Sequence, residues 1–228
     1  MKSKFNQNPS YYNEHAMVQC YSAFALCNLY QNDISKAKSI LDVGCGTGFL
    51  TNNIRSINKK AKIIGIDTSE KMIEFANSNE DKAENVSFLH VDENYIYETK
   101  EKFDLVVSNF VFQWMDYLPL YIEVLRYISK NIIFAIPLYG TFKDILAIYD
   151  KLNLEPTLSQ FYDYDDLGYS GKRMVYTEHY DSVKDFLYHI KNIGAGYSET
   201  HLSVKNIKKV LSYKNPIRAS YNIGFFMA

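Results

Sequence analysis

The chain has 228 residues, 47% of them apolar and 22% charged, with a formal net charge of -1. That length suits one α/β domain with a modest insertion, and the apolar share is enough for a buried core, which argues against wholesale disorder. A charge so near zero leaves no footprint for general nucleic-acid binding and no acidic solvating tail. Aromatics reach 15%, mostly Tyr and Phe, too many for one core, so a share of them must line pockets or surfaces. Cys20, Cys27 and Cys45 are few, odd in number and without metal-ligand spacing. They fit a reduced, cytoplasmic chain with no metal site. The opening Met1-Lys2-Ser3-Lys4-Phe5 is followed by polar residues, so no secretory signal is expected. The most apolar run, Ile132 to Tyr139, is too short to span a bilayer.

In chain order, Tyr11 to Tyr30 reads as a helix with one apolar side. Strand and helix then alternate: a strand over Ser39 to Val43, a Gly-rich turn and a helix from Phe49. A strand over Lys62 to Ile66 precedes a helix over Ser69 to Asn77, with Ser69 as its N-cap. Strands follow over Val86 to Val91 and Phe103 to Ser108, then a helix over Leu118 to Ile128, then a strand over Asn131 to Ile136 closed by Pro137. Strands separated by helices predict βαβ units and a mostly parallel, doubly wound α/β sheet. Right-handed crossovers then gather the loops after the strands along one sheet edge.

Tyr139 to Glu178 breaks this rhythm. It holds a helix over Phe142 to Leu154, then Pro156, then the acidic aromatic loop Tyr162-Asp163-Tyr164-Asp165-Asp166. The expectation is a single domain over 1–228, with an N-terminal helical cap at 1–35 and a lid-like helical insertion at 139–180 over the C-terminal edge of the sheet. Helices over Ser182 to Ile193, ended by Gly194, and over Ser203 to Leu211 precede a last strand, Ser220 to Phe226.

The first strand runs into Ile40-Leu41-Asp42-Val43-Gly44-Cys45-Gly46-Thr47-Gly48. Glycines let a backbone turn sharply and approach a ligand closely. A dinucleotide fingerprint starting at Gly44 needs glycine at position 49, where Phe49 stands; the third glycine is Gly48 instead. The second strand ends in Ile63-Ile64-Gly65-Ile66-Asp67, about twenty residues further on, and a carboxylate there can accept from both ribose hydroxyls. Val91-Asp92-Glu93 follows the third strand, and Asp104-Leu105-Val106-Val107-Ser108-Asn109 forms the fourth.

These signals resemble the class I S-adenosylmethionine-dependent methyltransferases over roughly the first 136 residues. The resemblance implies a Rossmann-like fold and S-adenosylmethionine as cofactor, with S-adenosylhomocysteine as product. It implies a loop of Gly44, Cys45, Gly46 and Gly48 around the cofactor's amino-acid part, with Asp42 facing its ammonium. It places Asp67 on the ribose with Thr68 and Met72 behind it, Asp92 and Glu93 at the adenine amino group, and Ser108 or Asn109 beside the methionine moiety.

Asn109-Phe110-Val111-Phe112-Gln113-Trp114 narrows the likeness. It resembles the S-N-x-x-x-Q-W segment of the malonyl-acyl-carrier-protein O-methyltransferases of biotin synthesis. Tyr11-Tyr12-Asn13-Glu14-His15-Ala16 with Gln19 is similar to their opening helix, and Tyr139-Gly140-Thr141-Phe142 to their segment after the fifth strand. Leu187 to Ala195 is similar to their late helix, and Ala219 to Ile223 to their last strand. Ser129-Lys130-Asn131 departs from their Pro-Gly-Gly turn.

The resemblance implies methyl esterification of a malonyl thioester on acyl carrier protein. The carboxylate is already ionised at neutral pH and needs no general base. Tyr12, His15, Gln113, Trp114 and Arg173 are the candidates to hold it, each with a plain packing or surface reading beside it. An acidic carrier would dock on basic residues, for which Lys205, Lys208, Lys209, Lys172 and Arg173 are available. No nucleic acid or membrane is expected as partner. The alternatives are ester formation on a small free acid, as in trans-aconitate methyltransferases, a non-catalytic S-adenosylmethionine-binding protein, and an NAD-dependent dehydrogenase, against which Phe49 counts.

Overall fold

The computed structural model describes residues 9–78, 83–155, 161–193 and 204–228. Gly194 with Ala195, Pro156 and Ser203, read above as helix or loop boundaries, lie outside the described residues. The chain opens with α1 (Pro9–His15), α2 (Met17–Leu29) and α3 (Gln31–Lys36). The alternating part is β1 (Ser39–Val43), α4 (Phe49–Ile57), β2 (Lys62–Asp67), α5 (Glu70–Ser78), β3 (Val86–His90), α6 (Tyr95–Glu98), β4 (Leu105–Asn109), α7 (Leu118–Arg126) and β5 (Ile132–Pro137). After it come α8 (Lys143–Lys151), β6 (Ser170–Tyr180), α9 (Val183–Asn192), α10 (Val204–Leu211) and β7 (Ile217–Met227).

The strands form one seven-stranded sheet in the order β3-β2-β1-β4-β5-β7-β6. β1 to β5 are parallel, and β7 runs antiparallel between β5 and β6. The order reverses between β1 and β4, so a crevice opens past their C-terminal ends, where ligands of such sheets sit. Period-two alternation sends Ile40, Ile63, Leu105, Val107 and Ile133 to a core shared with α2, α4, α8 and α9. Leu41, Val43, Ile64, Ile66 and Val106 go to the opposite core with α6 and α7. Both faces are covered, which is why the parallel strands read as near-continuous apolar runs. Among the described residues no helix is long and apolar enough to cross a membrane.

Two expectations change. The single N-terminal helix is broken at Ala16, which leaves helical geometry at φ -77 and ψ 54. Beyond the break α2 buries Val18, Ala23, Leu26 and Cys27 against the sheet, whereas no residue of α1 is fully buried and only Tyr11 and Tyr12 pack partly against the core. α1 therefore lies across the surface, touching α5 and α9, and α2 belongs to the core rather than to a cap. The insertion is also smaller than 139–180. Residues 170–180 form β6, the edge strand, and α8 packs Ile145, Ile148 and Tyr149 into the main core. β6 escaped notice because one inward position, Glu178, is charged and only one face of an edge strand is covered. Ser69 caps α5 as expected, with Met72 N–H donating to Ser69 Oγ at 3.3 Å, and Ser182 caps α9, with Asp185 N–H donating to Ser182 Oγ at 3.2 Å.

Candidate functional site

Alternation along β1 returns Asp42 to the face covered by α2 and α4, where it is 1% exposed. Thr51 Oγ1, near the start of α4, donates to Asp42 Oδ2 at 2.6 Å, and Asp42 Oδ1 has no partner among the described residues. Burial pushes the Asp42 carboxyl up to about 7 against the pull of the Thr51 hydrogen bond, and nearby Asp67 adds to the rise. Burial likewise pushes the Cys27 thiol up to about 12, with Asp42 adding to it. A positive donor at Oδ1 would supply both the missing hydrogen bond and the missing counter-charge.

The loop after β1 bends through Gly44 and Gly46, at φ 71° and 54°, in the left-handed region. The N–H groups of Gly44 and Cys45 both donate to Ile66 O, at 2.8 and 3.0 Å, which ties the loop to the end of β2. A Cβ at Gly44 would stand 2.3 Å from Val111 Cγ2, so this glycine admits the chain returning after β4. A Cβ at Gly46 would meet nothing within 4 Å: the backbone there faces open space. Cys45 is buried and packs beside Gly65, where a Cβ would come within 3.0 Å of it. Gly48 begins α4 at φ 94°.

Asp67 closes β2. Its Oδ2 accepts from Gly46 N–H at 2.9 Å and its Oδ1 from Ser69 N–H at 2.8 Å. Each oxygen retains acceptor capacity for a hydroxyl. Burial raises this carboxyl too, opposed by those backbone donors. Met72 is buried on α5 behind it, and Thr68 is exposed on the rim. Asp92 and Glu93 are exposed just past β3, and Asp92 Oδ1 accepts from Asn94 N–H at 2.9 Å in the turn into α6. Tyr12, on α1, stacks on Phe49 with ring centroids 6.0 Å apart. Burial, with the Asp67 charge nearby, drives its phenol pKa upward. α1 thus lays an aromatic roof beside Asp67.

At the end of β4, Ser108 Oγ donates to Val43 O at 2.8 Å and is committed to the sheet. Asn109 Nδ2 donates to Gln19 O at 3.0 Å, and Asn109 Oδ1 is buried without a partner among the described residues. Phe110 follows at φ 59°, a strained setting for a bulky side chain, costing about 1–2 kcal/mol. Past that kink Val111 packs against Gly44, and Phe112–Trp114 form a 3-10 turn that buries Phe112. Gln113 Nε2 donates to Phe110 O at 2.9 Å, and Gln113 Oε1 is buried and likewise unpartnered; Trp114 beside it is half-buried. Asp42 Oδ1, Thr47 Oγ1, Asn109 Oδ1 and Gln113 Oε1 therefore form a set of unpartnered oxygens at the ends of β1 and β4. Buried carbonyl and carboxylate oxygens without donors, on segments flanking the glycine loop, suit a cationic ligand.

The remaining candidates separate. His15 stacks on Tyr11 at 3.9 Å and lies near His189 of α9, whose imidazole is pushed down by burial and by His15. Beneath it Glu178 accepts from Tyr180 Oη at 2.6 Å, with His189 Nε2 at 4.0 Å. Arg173 lies on β6, in register through Gly224 with Ile136 of β5, two strands to the side. Alternation turns it away from the face of Met174 and Tyr176, and its guanidinium stacks 4.8 Å over Tyr164. The structure does not bring Arg173 to the crevice with Tyr12 and Gln113. Sequence reading passed over Thr51, whose one signal is its place early in the helix after the loop, and Glu178, which carries none.

Known proteins match this arrangement. The model of a methyltransferase domain family matches residues 34–163. The malonyl-[acyl-carrier protein] O-methyltransferase of Bacillus cereus is 27% identical, covering 86% of this chain and 80% of its own. The protein of that name from Acetivibrio thermocellus is 26% identical, covering 99% of this chain and 91% of its own. Among solved structures, magnesium protoporphyrin IX methyltransferase from Synechocystis, with S-adenosylhomocysteine bound, superposes with TM-score 0.51 at 15% identity, over 90% of this chain and 82% of its own. The glycine loop, the strand-end acid and the sheet order all lie within or around the matched span, and the chain belongs to this family of methyltransferase domains.

Proposed function

We propose that the chain transfers a methyl group from S-adenosylmethionine to the free carboxylate of a malonyl thioester carried on acyl carrier protein. The observation that carries this reading is the likeness, over most of the chain, to relatives named for that reaction, joined to the Gln113-Trp114 turn that follows β4. The residues present fit the cofactor. Asp42 Oδ1, Thr47 Oγ1 and Asn109 Oδ1 are unpartnered acceptors suited to its ammonium end. The open space at Gly46 suits its chain, Asp67 suits a ribose, and Asp92 and Glu93, exposed just past β3, are the acids available to the adenine amino group.

When bound, the cofactor supplies an electrophilic methyl group on a sulfonium. An acceptor carboxylate would form the new C–O bond with its own lone pair as the C–S bond broke and left its pair on sulfur, so the two opposite charges would cancel with no proton moved. The protein's part is alignment and drying, which together are worth about 7–11 kcal/mol in favourable cases. Tyr12 stacked on Phe49, and the turn bearing Gln113 and Trp114, are the groups this reading uses to exclude water. His15 sits on the same cap helix as Tyr12.

For the carrier, Lys208 is exposed on α10 and Lys209 Nζ donates to Leu152 O, and Lys172 lies on the exposed edge strand. We place the protein in the cytoplasm, where its three unpaired cysteines stay reduced. The test is incubation with labelled S-adenosylmethionine and malonyl-carrier, followed by mass spectrometry. Gain of one methyl on the malonyl group supports the reading. Gain only on a small free tricarboxylate, or tight cofactor binding with no transfer, overturns it.

A further inference from the structure

Gln19 is polar, 5% exposed and set in the buried side of α2 among Val18, Ala23 and Leu26. Its Oε1 has no hydrogen-bond partner among the described residues, and neither has Ser22 Oγ one turn along the same helix. A buried polar atom left unpaired forfeits its hydration with nothing in return, so an amide kept in such a place needs a partner from elsewhere. The location narrows what that partner is. Gln19 O accepts from Asn109 Nδ2 at 3.0 Å, which fixes this turn of α2 against the C-terminal end of β4. The next residue, Cys20, lies close enough to Tyr12 to act on its titration, so the same turn also borders the roof of the crevice.

We infer that Gln19 is an acceptor-binding residue whose side-chain amide orients the carboxylate that receives the methyl group. This rests on the reading above. An amide rotates about its terminal bond without changing shape, so Gln19 presents its NH2 to an anion as readily as its carbonyl to a cation. A neutral donor suits the chemistry better than a guanidinium. It aligns a carboxylate oxygen without the strong charge-assisted pairing that would lower the nucleophile's ground state. Arg173, the one arginine considered for this task, stacks on Tyr164 instead.

The test compares the wild type with Gln19→Met, which keeps the side chain's volume and the backbone bond to Asn109, and with Gln19→Glu, which sets a negative charge against the acceptor. KM and kcat are measured for a malonyl thioester, and cofactor affinity by calorimetry. The inference expects both variants to raise acceptor KM or lower kcat/KM by about 10- to 100-fold, Glu more than Met, with cofactor affinity within about twofold of wild type. Unchanged transfer kinetics in a folded Gln19→Met protein overturns it, as does an equal loss of cofactor affinity, which would make Gln19 a cofactor contact. Failure of the wild type to methylate any carboxylate sinks the functional reading first, and this inference with it.

Discussion

Thr51 Oγ1 donates to one oxygen of Asp42 at 2.6 Å and leaves the other, fully buried, with no partner among the described residues. The free protein thus holds a half-satisfied acid whose carboxyl burial pushes up to about 7. A cation at Oδ1 favours the ionised form, so cofactor binding near neutral pH should expel a proton. Calorimetry in buffers of different ionisation enthalpy checks this: the apparent binding heat should vary with the buffer at pH 7 and become independent of it above pH 9.

The same acid governs stability of the free protein. Between its ordinary value of 3.8 and about 7 the folded chain holds a proton that the unfolded chain has lost. Stability should therefore fall as pH rises across that window, with a slope approaching about 1.4 kcal/mol per pH unit in its middle. Asp42→Asn should remove this slope and leave the free protein more stable at pH 8, while weakening cofactor binding by about tenfold or more. Urea unfolding at pH 5 and pH 8 would separate the variant from wild type; parallel slopes would refute the assignment.

Gly44 and Gly46 look equivalent in the loop and should behave differently. Alanine at Gly44 meets Val111 at 2.3 Å in a left-handed backbone, and should cost about 2–5 kcal/mol of folding stability. Alanine at Gly46 meets nothing, so only the backbone cost of about 1–2 kcal/mol remains. Its methyl group would instead enter the open space proposed for the cofactor, and cofactor affinity should fall by at least about tenfold, some 1.4 kcal/mol. Melting curves with and without S-adenosylhomocysteine would reveal the split.

Those two glycines mark where sequence reading succeeds and where it stops. The strand-loop-helix order, the acid at Asp67 and the cap at Ser69 were legible because each is local: neighbouring residues dictate the turn, the strand end and the helix start. Thr51 beneath Asp42, and Gln19 against Asn109, join segments distant in sequence or set a residue by which side of a helix is covered, and no local pattern carries that. β6 failed for a related reason. Met174, Tyr176 and Tyr180 alternate as a strand should, but Glu178 occupies an inward position and gains the Tyr180 hydroxyl as its donor only once the sheet edge has folded.

Glu178 and His189 should shape the acid side of the stability curve in opposite senses. Burial pushes His189 below its usual value, so as pH falls through 6.5 the unfolded chain takes protons that the fold refuses, and stability is lost. Burial pushes Glu178 above 4.5, so the fold keeps a proton there that the unfolded chain gives up, and stability falls as pH rises from 4.5. At 4.0 Å, with the imidazole favoured neutral, the two do not form an ion pair at pH 7. Glu178→Gln should therefore steepen the loss between pH 6.5 and 5, and His189→Gln should flatten it. Denaturant midpoints at pH 5, 6 and 7.5 would show this; loss at pH 7.5 in both variants would instead indicate an ion pair.

Arg173 is the sharpest case for separating charge from function. Arginine is the usual clamp for a carboxylate because its fork matches both oxygens. Here the fork stacks on Tyr164, on the sheet face away from Met174 and Tyr176, at a strand two places removed from β5. Cation–π contacts at exposed sites are worth about 0.5–1 kcal/mol, so Arg173→Ala should cost little stability. It should leave kcat unchanged for a malonyl thioester presented on a short pantetheine. If the basic edge helps to seat an acidic carrier, KM should rise only for the carrier-bound substrate, and the rise should vanish at high salt. A large fall in kcat on the short substrate would instead put the guanidinium at the reacting carboxylate and require β6 to move toward the crevice.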